Sequence, residues 1–135
     1  MIKISKSVEY SILALKYISD HGDVKISSST IANDLNIPYD LLAKLLQKLV
    51  KKGIIKSEQG KYGGYSLIIP TDKLTIMEII TALEENIQLT NCSFQEATIE
   101  SCGRINSCNI RSPFMNLQNR INEMFESITL YEISN

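Results

Sequence analysis

Residues 27–69 read SSSTIANDLNIPYDLLAKLLQKLVKKGIIKSEQGKYGGYSLII. Ser27 or Ser28 can cap a short helix through Leu35, since a serine hydroxyl accepts one of the first-turn N–H groups that lack helical partners. Asn36-Ile37-Pro38 breaks that helix, and Pro38 suits the first turn of another. The second helix should run to about Lys52, with Leu42, Leu45, Leu46, Leu49 and Val50 inward at spacings of three and four and Gly53 as its stop. Ile54 to Glu58 and Tyr65 to Ile69 read as two strands. Between them lie Gln59-Gly60-Lys61-Tyr62-Gly63-Gly64, where repeated glycine permits the positive φ angles of a tight hairpin.

The flanking sequence completes the pattern. Upstream, residues 5–20 read as a helix carrying Val8, Ile12, Leu15 and Ile18, with Leu13 and Ala14 widening the stripe and His21-Gly22-Asp23 ending it. Lys25-Ile26 is a short extended entry. Downstream, Pro70-Thr71-Asp72 closes the hairpin. Thr75-Ile76-Met77-Glu78 fits a capping box, which opens a helix with Ile76, Ile79, Ile80 and Leu83 inward. A last helix should start at Ser112-Pro113 and carry Phe114, Leu117, Ile121, Met124, Phe125 and Ile128. The order of helix, short helix, proline-bounded helix and glycine-rich hairpin predicts a mainly α fold with a small β-hairpin wing. This is a winged helix-turn-helix over residues 1–73, followed by a helix, a cysteine loop and a long C-terminal helix over 74–135.

The chain has 135 residues, 44% hydrophobic and 21% charged, which fits a soluble globular protein. No apolar run approaches a membrane span. The first twenty residues are interrupted by Lys3, Lys6, Glu9 and Lys16 and lack a signal-peptide core, so a cytoplasmic location is expected. Net charge is −1, but its distribution is uneven. Residues 1–73 hold eleven Lys and Arg against seven Asp and Glu, and residues 74–135 hold three against eight. A basic first half points to a polyanion, although a solvated lysine face would look the same.

The helix before the hairpin has the length to enter a DNA major groove while its apolar side stays on the core. Its outward positions are Tyr39, Asp40, Lys44, Gln47, Lys48 and Lys51. Polar groups near a helix start can read base edges, and lysines further along hold phosphate. Lys61 and Tyr62 at the hairpin tip suit backbone or minor-groove contact. No nucleophile–base pair, phosphate loop or paired-carboxylate site has workable spacing, so an enzyme is not expected.

The three cysteines, Cys92, Cys102 and Cys108, all lie in TNCSFQEATIESCGRINSCNIRSP, residues 90–113. The segment has little apolar periodicity and cannot order itself by burial. Clustered thiols in a cytoplasmic protein suggest metal or redox chemistry, and thiolates suit zinc and iron–sulfur clusters alike. Three cysteines leave a closed four-ligand site one short. His21, the one histidine, reads as a polar helix-end residue.

The chain resembles the IscR/NsrR-type winged-helix transcriptional regulators of bacteria over nearly its whole length. The matching stretches are Ile4-Ser5-Lys6-Ser7-Val8-Glu9-Tyr10, Ile31-Ala32, Lys51-Lys52-Gly53-Ile54-Ile55, Gly63-Gly64-Tyr65-Ser66-Leu67, Ile79-Ile80-Thr81-Ala82-Leu83-Glu84 and Thr129-Leu130. The resemblance implies a homodimer on a roughly palindromic double-stranded DNA operator, with the last long helix forming much of the dimer contact. It also implies an iron–sulfur cluster, 2Fe–2S or 4Fe–4S, on Cys92, Cys102 and Cys108, sensing redox state, nitric oxide or cluster status. Glu9, from the partner subunit, is the implied fourth ligand. Some relatives instead place histidine where Arg111 stands here. Others of this fold carry no cluster and work through cysteine oxidation or a partner protein. Relatives of the cluster type often carry an arginine near the start of the wing. Gln59 occupies that region here, so the arginine's role does not transfer.

Overall fold

The computed structural model describes residues 3–90, 103 and 107–134. Cys92 and Cys102 lie outside the described residues, and Cys108 lies within them. Three helices form the head: α1 (Lys6–Asp20), α2 (Ser28–Leu35) and α3 (Tyr39–Lys51). The strands β1 (Ile55–Glu58) and β2 (Gly64–Leu67) follow, then α4 (Ile76–Ala82), α5 (Arg111–Ser127) and α6 (Leu130–Ser134). The fold is mostly helical with one antiparallel two-stranded sheet, as the sequence pattern predicts.

Ser27 caps α2 as expected, accepting the Thr30 N–H, and Ser5 caps α1, accepting that of Val8. Thr75 and Glu78 form a complete capping box, with bonds of 3.0 and 3.1 Å in the two directions. Asn36 ends α2 in the left-handed region, φ 54°, a conformation asparagine tolerates better than most residues. Pro38 lies one position earlier than expected, as the N-cap of α3, with extended backbone.

α5 departs further from expectation. It begins at Arg111, behind Ile110, so Ser112 sits inside the helix and caps nothing. Pro113 is still tolerated, because first-turn N–H groups need no helical partner. After Ile128 the chain makes an unanticipated short helix, α6, on which Leu130 is fully buried.

One apolar core runs through the head and beyond it. Leu15, Ile18, Ile31, Leu42, Leu46, Leu49, Ile55, Leu74, Ile79 and Leu130 are fully enclosed within it. Val50, expected inward, is only half-buried. The hairpin pairs Ile55 with Leu67 and Glu58 with Gly64. Ile26 adds a bridge on the other side of β2, exchanging backbone bonds with Tyr65 at 2.8 and 3.2 Å. Gly64 makes that approach possible. Its φ is +149°, and an added Cβ would stand 2.6 Å from the Ile26 carbonyl carbon. The chain then closes on itself: Leu130 N–H donates to the Leu74 carbonyl at 2.8 Å, and Ile76 N–H to that of Ile128 at 2.9 Å.

Candidate nucleic-acid interface and thiol site

The amphipathic pattern of α3 sets its geometry. Leu42, Leu45, Leu46 and Leu49 are buried, which turns Tyr39, Asp40, Lys44, Gln47, Lys48 and Lys51 to solvent. All six residues expected on the outward face are exposed. Asp40 lies in the first turn and Lys48 and Lys51 in the last, each sign favourable to the helix dipole. At the hairpin tip Lys61 and Tyr62 are both exposed, and Tyr62 is 83% accessible. The Lys61 ammonium stands 5.6 Å from the Tyr62 ring centroid, a weak cation–π contact. The residues read from sequence as DNA-facing are therefore outward on one helix and one hairpin tip. Gln59 is exposed beside them.

Two polar ties hold these elements in place. The Tyr17 hydroxyl on α1 donates to the Asp34 carboxylate on α2. That bond raises the tyrosine pKa above its usual value, since the protonated form is the donor. Lys25, before α2, bonds Glu58 at the end of β1 and so braces the hairpin. The lysine's hydrogen bond holds the Glu58 carboxyl below the ordinary carboxylate range.

Sequence reasoning missed the face of α2. Ser29, Thr30 and Asn33 line an open cleft of about 630 Å³ with Ile37 and Tyr39, and the Ser28 hydroxyl reaches the Tyr39 hydroxyl at 3.5 Å. A second cleft of about 660 Å³ joins His21, Lys25, Ser27 and Thr30 to Lys61 and Tyr62 of the hairpin tip. The serine run was readable as a cap, whereas its hydroxyls' position between α3 and the wing needed the tertiary fold. His21 is the C-cap of α1, exposed, with its Nδ1 2.7 Å from the Tyr17 carbonyl.

Of the proposed cluster ligands, Glu9 and Cys108 are described. Glu9 is exposed in the first turn of α1 and pairs with Lys6 at 2.9 Å. The hydrogen bond and charge of Glu9 raise the Lys6 pKa. Cys108 is a half-buried free thiol shortly before α5. Among the described residues no three His, Cys, Asp or Glu side chains form a metal-holding group. Also among the described residues, no helix is long and apolar enough to cross a membrane.

Comparison with known proteins places this geometry. The Rrf2 family profile, described as an iron-dependent transcriptional regulator, matches residues 4–135. A protein of Haemophilus influenzae named as an HTH-type transcriptional regulator is 30% identical over 135 residues, covering 99% of this chain and 87% of its own. The HTH-type transcriptional regulator IscR of Yersinia pestis is 26% identical, over 99% of this chain and 80% of its own. The solved structure of CymR, the global cysteine regulator of Bacillus subtilis, superposes with a TM-score of 0.73 at 25% identity. It covers 99% of this chain and 97% of CymR.

Proposed function

The chain belongs to the Rrf2 family of transcriptional regulators, and from that premise we propose that an iron–sulfur cluster on Cys92, Cys102 and Cys108 sets its affinity for a DNA operator. It is a DNA-binding regulator and not an enzyme, as its relatives are. In the proposed complex α3 enters the major groove. Tyr39, Asp40 and Gln47 face base edges, while Lys44, Lys48 and Lys51 hold phosphate. Lys61 and Tyr62 of the wing contact the adjacent backbone or minor groove. Two copies joined through α5 present two such helices to a twofold site in the cytoplasm. Residues 1–73 are the DNA-binding unit, and residues 74–135 carry the sensing and pairing functions.

The donor set fits a thiolate-held cluster. Cys108 is a free thiol beside the start of α5, and the Glu9 carboxylate faces solvent, tied to a lysine in an exposed pair that water screens. Glu9 of the partner subunit completes the ligand set, and a hard carboxylate beside three soft thiolates makes that position the exchangeable one. When bound, the cluster supplies a redox-active and nitric-oxide-reactive centre. The chain's own part is mechanical. The thiols lie in sequence between α4 and α5, and that placement carries the switch reading. A change in how they are held shifts the balance between two arrangements of the paired recognition helices.

The similarity to CymR favours a second reading, in which the same fold responds through its thiols or a partner protein without a cluster. Absorption of anaerobically purified protein, with iron and acid-labile sulfide assays, separates the two. Brown protein with both elements supports the cluster, and colourless protein with oxidisable thiols supports the alternative. Operator affinity at matched salt then tests the switch. Equal affinities for cluster-loaded protein and Cys102→Ala would remove it while leaving DNA binding intact.

A further inference from the structure

Gln118 breaks the apolar pattern of α5. It is the one residue of that helix that is fully buried, at 5% exposure, while Leu117 and Met124 stand in solvent. Its carboxamide is engaged at both ends. Oε1 accepts the Leu89 N–H at 2.8 Å. Nε2 donates to the Ile87 carbonyl at 2.6 Å and to Asn122 Oδ1 at 3.0 Å. One side chain thus holds two backbone groups of the segment leaving α4, much as a neighbouring strand would. A buried carboxamide costs free energy unless all its bonds are made, so this position is specified by the segment it grips.

A second clasp holds the near end of the same segment. The Ser5 hydroxyl donates to Glu85 Oε2 at 2.5 Å while accepting the Val8 N–H at 3.2 Å. Ser5 is the N-cap of α1. Glu84, just before Glu85, takes a left-handed φ of 59°, which turns the chain sharply out of α4. Residues 85–89 therefore run between the N-cap of α1 and the middle of α5. Cys92 follows Leu89 by three positions in sequence.

We propose that residues 85–89 are a tie-bar and that Gln118 is its positioning residue, so that displacement at the stem of the thiol segment reaches α5 and the start of α1 together. The proposal deepens the thiol-switch reading and rests on it, but its first test does not depend on a cluster. Amide exchange is measured by NMR on the metal-free, reduced full chain. Gln118→Leu is expected to speed exchange of the Leu89 amide at least tenfold. It should also speed that of Val8 at least threefold, through Ser5 and Glu85. Gln118→Glu, which keeps the acceptor for Leu89 and loses both donors, should fall between. A Val8 amide indifferent to Gln118 overturns the tie-bar and leaves a local brace. If Gln118→Leu does not fold, Gln118→Glu and the reciprocal Ser5→Ala, read at Leu89, decide the matter in the same way.

The second test is the ratio of operator affinities between cluster-loaded and metal-free protein. Gln118→Leu is expected to bring that ratio at least threefold closer to one, with metal-free affinity within twofold of wild type. Retention of the full ratio overturns the proposal. A wild type with no ratio at all sinks the cluster switch instead, and the tie-bar then stands or falls on Val8 exchange.

Discussion

Ser11 sits in the middle of α1 with no accessible surface, and among the described residues its hydroxyl has no hydrogen-bond partner. A buried hydroxyl left unpaired costs roughly 1–3 kcal/mol. Ser11→Ala is therefore expected to leave stability unchanged or raise it by up to about 1 kcal/mol, read as the urea midpoint of unfolding. The exposed Glu58 behaves differently. Its pKa is lowered in the folded chain by the bond from Lys25. The pair's contribution is thus present above the ordinary glutamate value and is lost as pH falls through the depressed folded one. Lys25→Ala should bring the Glu58 titration, followed by NMR, back toward its ordinary position and flatten the acid side of the stability profile. Neither residue's state was visible in sequence. The caps at Ser27 and Thr75 were, because a hydroxyl before an apolar period has one local use. Gln118 escaped notice because a glutamine on an amphipathic helix reads as a surface residue until the segment it grips is known.

At the scale of elements, α3 was the most legible part of the chain. Its leucines repeat at the helical period, and burial of that stripe leaves no choice about which residues face outward. The start of α5 was misread for a physical reason. Ser112-Pro113 has the chemistry of a helix start, but exposed first-turn N–H groups are satisfied by water, so helical backbone can begin upstream at Arg111 without a side-chain cap. α6 is too short to show a period. The cleft along α2 arises between elements, and no single segment encodes it. If α3 carries phosphate contacts, Lys44→Ala and Lys48→Ala should each weaken operator binding. Each should also reduce the slope of log affinity against log salt by about one. The readout is fluorescence anisotropy across a salt series. An unchanged slope would place those lysines off the DNA.

For the whole molecule, α5 poses the main question. Ile110 at its N-cap and Leu117 and Met124 within it recur every seven positions and are 56%, 45% and 56% exposed. That periodicity puts them on one stripe of the helix, and an apolar stripe of this kind is the surface the proposed homodimer would cover. Leu117→Lys with Met124→Lys is expected to shift sedimentation from dimer to monomer and to cost at least tenfold in affinity for a two-half-site operator. Affinity for a single half-site should change little. The sequence pattern showed an apolar helix here, but only the fold reveals that Leu117 and Met124 stand in solvent.

The strand-like closure of Leu130 onto Leu74 also fixes an order of events during synthesis. Leu130 fills the same core as Leu15, Ile79 and Ile80, yet it is translated long after them. Bacterial ribosomes add roughly 5–20 residues each second. For several seconds, then, the nascent head must wait with one wall of its core open and the Leu74 carbonyl unpaired. The core therefore closes late, on a leucine made some fifty residues after Ile80.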